Sequence, residues 1–246
     1  MVRYLRAATG VNLLDNILEG GLPRPAVVMI SGDVGVGKNL LAQQILWYGL
    51  MSGEKCIYVT IDMFPEDVLE SMERFGWNVR EYFEREHLIF VDCFSPRVGH
   101  ESKAQYVVEN PFNVDELLET LSLAQAEVYS DGSYGRLVLS HLSTLLFTMD
   151  RERIYHLMAK LHAEARKYNA IYLLVYTEGV LDENTEVFLR QLPDVVIRLK
   201  RFWKKGRAYR VMWIEKCVKT VYSKDRYVYR QTDRGFEIEG VLEYPT

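Results

Sequence analysis

Cysteine is scarce, with only Cys56, Cys93 and Cys217 among 246 residues and no CxxC spacing between them. That excludes a disulfide framework and a zinc site built on paired cysteines. Cys56 and Cys93 lie inside strand-like apolar runs, so buried reduced thiols are expected. Long apolar runs are missing too: no stretch approaches the roughly 20 residues that a bilayer-spanning helix needs. The opening segment MVRYLRAATG has no apolar signal core, so no membrane partner and a cytoplasmic location are expected. Excess positive charge is also absent. A formal net charge of −4 argues against a surface built as a whole for nucleic acid, leaving room only for a local basic patch. Without internal repeats or low-complexity linkers, residues 1–246 read as a single domain with its core at about 8–200.

What is present alternates between strand-like and helix-like segments. AVVMIS (26–31), KCIYVTID (55–62), HLIFVDC (87–93), RLVLS (136–140) and AIYLLVY (170–176) read as strands. Between them lie helical patterns from Lys38 to about Leu50, from Pro65, over 114–129 and over 151–168. The strands are continuous apolar runs rather than alternating ones, which implies a mainly parallel α/β sheet covered by helices on both faces. SPRVGHESKAQYVVENPF (95–112) reads as a long polar connection. From about 193 to 240 the pattern shifts to short strands and turns, expected to form antiparallel hairpins on the sheet edge.

One stretch carries chemistry. Gly32-Asp33-Val34-Gly35-Val36-Gly37-Lys38 has the GxxxxGK spacing of a phosphate-binding loop, set between a strand and a helix that runs on through Asn39 and Leu40. Glycines let backbone amides converge on phosphate oxygens, the helix N-terminus adds a positive pole, and Lys38 reaches the terminal phosphates. A bound nucleoside triphosphate or diphosphate, ATP or ADP, is therefore expected. Position 39 holds asparagine where a hydroxyl normally ligates Mg²⁺, so the metal is expected to bind weakly, through Asn39 if at all.

Ahead of the loop, TGVNLLDNILEGGLPRP supplies a second signature, and together they resemble the single-domain KaiC-like ATPases of the RecA superfamily, close to archaeal RadA. The resemblance runs on through YVTIDMFPEDVLESMERFGW, RLVLSHLSTL and the C-terminal VVIRL…VMWIEKCVKTVYSKD segments. It implies a RecA-like fold, nucleotide binding and assembly into a homo-oligomer or with a related RecA-fold partner. It also implies a depleted catalytic set. Ser140 stands where the family's Walker B aspartate holds Mg²⁺, and Asp62 and Met63 stand where the family has two glutamates. Lys216 matches the lysine that the family offers across a subunit boundary, but Val218 replaces its arginine partner. Losing a general base costs about 10²–10⁴ in rate, and losing an arginine finger about 10³–10⁵.

The expected function is accordingly a nucleotide-binding assembly or regulatory switch with weak or absent hydrolysis. The alternatives are an active ATPase using Asp62 as base and metal ligand, and a Rad55-like recombination accessory that binds single-stranded DNA. The last would use RLKRFWKKGRAYR (198–210), where seven basic residues surround Phe202, Trp203 and Tyr209. A bland edge hairpin, or a protein partner gripping Trp203, explains the same stretch. Ser140 and His141 are expected on opposite faces of a strand, which speaks against a nucleophile–base pair. His156 and His162, six apart on a helix, are expected to be solvated or packed rather than metal ligands.

Overall fold

The fourth residue of the run AVVMI is a methionine with no exposure to solvent, and so are the valines before it, because both faces of this strand are covered. Val28 and Ile30 enter one apolar layer, while Val27 and Met29 enter the layer on the other side. Period-two side-chain alternation with both faces apolar gives a continuous hydrophobic run, as expected for a parallel strand between helices.

The computed structural model describes residues 5–204 and 206–242. In chain order the elements are β1 (Arg6–Ala7), α1 (Asn12–Ile17), β2 (Leu22–Pro23), β3 (Ala26–Gly32), α2 (Lys38–Met51), β4 (Lys55–Thr60), α3 (Pro65–Glu73), α4 (Val79–Glu84), β5 (Leu88–Asp92) and β6 (Tyr106–Val107). There follow α5 (Val114–Val128), β7 (Gly135–Leu139), α6 (Leu142–Leu146), α7 (Arg151–Lys167), β8 (Ile171–Thr177), α8 (Glu183–Gln191), β9 (Val195–Lys204), β10 (Arg207–Cys217), β11 (Tyr227–Thr232) and β12 (Gly235–Val241). Ten strands form one sheet in the order β12-β11-β10-β9-β3-β8-β7-β4-β5-β6, parallel from β9 to β6 and antiparallel from β9 to β12. β1 and β2 make a small antiparallel pair beside it.

Pro65 occupies the first turn of α3, where its missing N–H is no loss. Asp150 and Asp182 cap α7 and α8 through the amides of Arg153 and Thr185. The three cysteines are free and buried, and burial pushes the Cys56 thiol up to about 12. Beside Cys56, Glu54 accepts from Arg24 at 2.6 Å and from Arg136 at 2.8 and 3.0 Å. Arg136 is 1% exposed and also donates to the carbonyls of Ala8 and Ile45, tying the N-terminal segment and α2 to β7.

Three expectations are corrected. The 95–112 segment is not all loop: residues 96–98 form a 3-10 turn, and β6 extends the sheet beside β5. Asp92 organises it, accepting from the amides of Phe94 and Ser95 and the hydroxyl of Ser102. The C-terminal strands are not all appended hairpins, because β9 runs parallel to β3 in the interior of the sheet and only β10–β12 are antiparallel. Of the expected WKKGR turn, Trp203 and Lys204 belong to β9, and Lys205 lies outside the described residues. Finally, β7 stops at Leu139, so Ser140 and His141 are not strand neighbours. His141 adopts the left-handed conformation (φ 56°, ψ 41°) and heads α6.

Candidate functional site

The centre of the site is the turn from β3 into α2. Gly32 closes β3 with φ 151°, and a Cβ there would stand 1.9 Å from the Leu199 carbonyl oxygen, so β9 runs too close for any side chain. Gly37 sits at φ 97° as the first cap of α2, and a Cβ on it would meet Gln231 Nε2 at 2.1 Å. No side chain caps α2, which leaves its first-turn amides available to an anion.

The rest of the loop is held from outside. Asp33 accepts from Lys200 Nζ at 2.7 Å and from the Arg201 amide at 3.2 Å. The Val36 carbonyl accepts from the Tyr229 hydroxyl at 2.6 Å, and Val36 itself is buried. Arg201 Nη2 reaches the carbonyl of Val34, whose side chain is 76% exposed at the loop tip. Thus β9 and β11 fix the loop's outer edge, a role that their sequence did not announce.

Lys38 donates to the carbonyls of Gly32 at 3.1 Å and Asp33 at 2.6 Å. Burial holds its ammonium below the usual lysine range, with Asp33 and Glu178 opposing that shift and Lys200 reinforcing it. Glu178, just beyond β8, accepts from Arg198 at 2.9 and 2.8 Å, and from Ser31 at 2.9 Å, and pairs with Lys200 at 2.7 Å. Burial works against its ionisation, but these donors outweigh it and draw the carboxyl down to about 2.

A cleft of about 480 Å³ opens at the loop, lined by Gly35, Gly37, Lys38, Asn39 and Leu40 and walled farther out by Gln43, Met63, Phe75, His141 and Gln231. The glycines and Lys38 on its lining are residues of the kind that fit a nucleotide's phosphates, with the Lys38 ammonium resting on the loop's own carbonyls. A larger hollow of about 580 Å³ lies between the starts of α5 and α7, against Phe112, Asp115, Asp150, Arg153 and His156. It has neither glycine cradle nor buried lysine, so the loop is the candidate for a phosphate site. His156 belongs to that other hollow, while His162 contacts Asp194 at 3.3 Å and the Leu192 carbonyl at 2.9 Å.

The groups expected at a metal are scattered. Ser140 is fully buried and donates its hydroxyl to the Val59 carbonyl at 3.0 Å. Asp62 accepts from the Thr144 hydroxyl and lies 3.6 Å from Arg97. No group of three or more His, Cys, Asp or Glu side chains placed to hold a metal occurs among the described residues. Asn39 Nδ2 meets His141 Nε2 at 3.3 Å, leaving Asn39 Oδ1 and His141 Nδ1 buried without partners. Ser140 and Asp62 are thus engaged with other protein groups, while Asn39 Oδ1 is an unpartnered oxygen beside the loop. Burial also holds the His141 imidazole below its usual range, with Asp62 pulling it up and Lys38 adding to the fall.

Lys216 donates to the carbonyls of Gln191 at 2.7 Å and Pro193 at 2.6 Å, and the Val218 amide bonds the Asp194 carbonyl. In the basic hairpin, Arg198 pairs with Glu178 and Glu215, and Lys200 with Asp33 and Glu178, so part of that charge faces inward. Trp203 is 69% exposed. Sequence reasoning missed Glu178, Tyr229, Gln231 and the nearness of His141 to Asn39. For His141 the available signal was its place directly after the Walker B position.

A sequence model described as "ATPase: KaiC" matches residues 7–242. A UPF0273 protein of Thermotoga maritima is 33% identical over 238 residues, covering 95% of each chain. One from Methanopyrus kandleri is 30% identical over 241 residues, covering 95% of this chain and 92% of its own. In fold, the molecule is similar to a KaiC-like protein from the hyperthermophilic archaeon Pyrococcus horikoshii, with a TM-score of 0.77 over 99% of this chain and 100% of that one, at 22% identity.

Proposed function

The chain belongs to the KaiC ATPase family, and from that premise we propose that it is a nucleotide-binding switch, holding ATP or ADP at residues 32–40 and hydrolysing it slowly or not at all. The observation that carries this reading is a cleft against the glycine loop beside catalytic groups that are engaged elsewhere. The loop keeps its glycines, buried Lys38 and an uncapped helix start. Met63 puts a thioether on the cleft wall at one of the family's glutamate positions, and Asp62 is tied to Thr144 and Arg97. A carboxylate so engaged, and set back by one C–C bond (~1.5 Å) relative to glutamate, loses on the order of 10² in rate.

The switch operates through what the nucleotide would pull on. Asp33, Val34 and Val36 are each bonded to β9 or β11, so a shift of the loop on binding phosphate reaches the C-terminal strands and their exposed Trp203. A partner, either a second copy or a related RecA-fold protein, would read the change there. The inward pairing of Arg198 and Lys200 disfavours a single-stranded DNA platform on that hairpin.

The test is to release and identify nucleotide from the purified protein, and to titrate ATP and ADP by calorimetry. Binding that disappears in Lys38→Ala, with phosphate release below about 0.01 s⁻¹ against a typical enzyme median of about 10 s⁻¹, is the expected outcome. No binding of either nucleotide, or turnover near that median, overturns the reading.

A further inference from the structure

Asn39 and His141 approach each other across the cleft, Asn39 from the first turn of α2 and His141 from the left-handed residue that heads α6. The left-handed region is uncommon outside glycine, with asparagine and histidine among the residues that adopt it more readily. Their amide and ring meet at 3.3 Å, and each retains one buried polar atom with no partner, Oδ1 of Asn39 and Nδ1 of His141. An unpaired buried donor raises the free energy of the state that contains it, and a ligand that accepts from His141 Nδ1 recovers that difference. Asn39 Oδ1 is itself an acceptor and gains nothing from a phosphate oxygen. With the amide assigned as donor to Nε2, the ring proton sits on Nδ1, an unused donor. Both residues line the cleft beside Lys38, whose ammonium in such loops reaches the terminal phosphates, so the pair lies at the far end of the phosphate chain.

We propose that Asn39 and His141 form a terminal-phosphate subsite that takes the place of a divalent cation, the Asn39 amide holding Nε2 of the ring so that Nδ1–H donates to the last phosphoryl group of ATP. This rests on the nucleotide-binding reading above and deepens it. A neutral donor suits a site whose cation ligands are engaged elsewhere, Ser140 with Val59 and Asp62 with Thr144. The subsite would distinguish ATP from ADP, because ADP has no group to reach it.

Calorimetric titrations with ATP and ADP, in excess EDTA and in Mg²⁺, test this. Wild-type affinity for ATP is expected to change less than about threefold when Mg²⁺ is removed, while His141→Asn weakens ATP in EDTA by about tenfold or more and ADP by less than about threefold. Asparagine tolerates the left-handed backbone, so the variant should fold, and circular dichroism checks that it does. Asn39→Thr is the second variant, expected to lose metal-free ATP binding and to regain it only with Mg²⁺. In protein carrying ¹⁵N-histidine, the His141 Nδ1 resonance should move with ATP and not with ADP. ATP binding by the wild type that requires Mg²⁺, or metal-free ATP binding that survives both substitutions, overturns the role of the pair and leaves nucleotide binding standing. Absence of both nucleotides under both conditions overturns the two readings together.

Discussion

The Lys200 ammonium stands 2.7 Å from Asp33 in the phosphate loop and 2.7 Å from Glu178 beyond β8, bridging the two acids. A residue of the basic hairpin thereby becomes part of the loop's support. Replacing it, as Lys200→Met, leaves Glu178 with Arg198 and Ser31 but frees one side of Asp33. With Lys200 and Asp33 both partly exposed, the stability loss is expected to be small, about 1 kcal/mol by urea titration. Nucleotide affinity is expected to fall more than stability does, because the loop loses its outer brace.

Glu178 predicts an acid limb. Its folded carboxyl titrates at about 2 against an ordinary 4.5, so its contribution is fully present above the unfolded value and is lost as pH falls from about 4.5 to about 2. At about 1.4 kcal/mol per unit, that contribution is at most about 3 kcal/mol. Glu178→Gln should lower stability at neutral pH and flatten the decline between pH 5 and pH 2, as read from denaturant midpoints across that range. An unchanged decline in the variant would assign the acid limb to other groups.

Glu54 is the shared partner of two buried guanidinium groups, Arg24 and Arg136. Removing its charge leaves both cations without a counter-ion in the interior. Glu54→Gln is therefore expected to destabilise by on the order of 3–5 kcal/mol, visible as a large fall in the thermal midpoint. Arg80→Ala, which breaks an exposed pair with Glu73, serves as the contrast and should shift the midpoint very little.

Tyr229→Phe removes one oxygen and leaves the Val36 carbonyl without its hydroxyl donor. The expected loss is about 1–2 kcal/mol in unfolding experiments. A faster off-rate for bound nucleotide should accompany it, since β11 no longer anchors the loop. Stopped-flow displacement of a fluorescent ATP analogue measures that rate, and an unchanged value would detach the hairpin from the site.

Much of the fold is readable because β3, β4, β5, β7 and β8 are covered on both faces and so appear as unbroken apolar runs. α1, α4 and α6 escape notice because five or six residues are too few to display a helical period. β6, two residues long, is defined by its pairing with β5 rather than by its own composition. The place of β9 beside β3 is likewise invisible in the local pattern, which resembles that of the antiparallel strands after it. The phosphate loop is legible because its chemistry depends on spacing within seven positions. His141, Glu178, Tyr229 and Gln231 come from 100 to 200 positions away, and nothing in their own neighbourhoods marks them as its companions.

The bond from Tyr229 to Val36 spans 193 positions of the chain. On a ribosome, the glycine turn emerges early and waits for almost the entire remaining polypeptide before its last support arrives. A nucleotide bound as proposed would meet this support only in a molecule that is nearly finished. A fragment ending before β11 would carry the whole recognisable motif and still lack the grip, which makes the β11–β12 hairpin the checkpoint at which synthesis turns into competence.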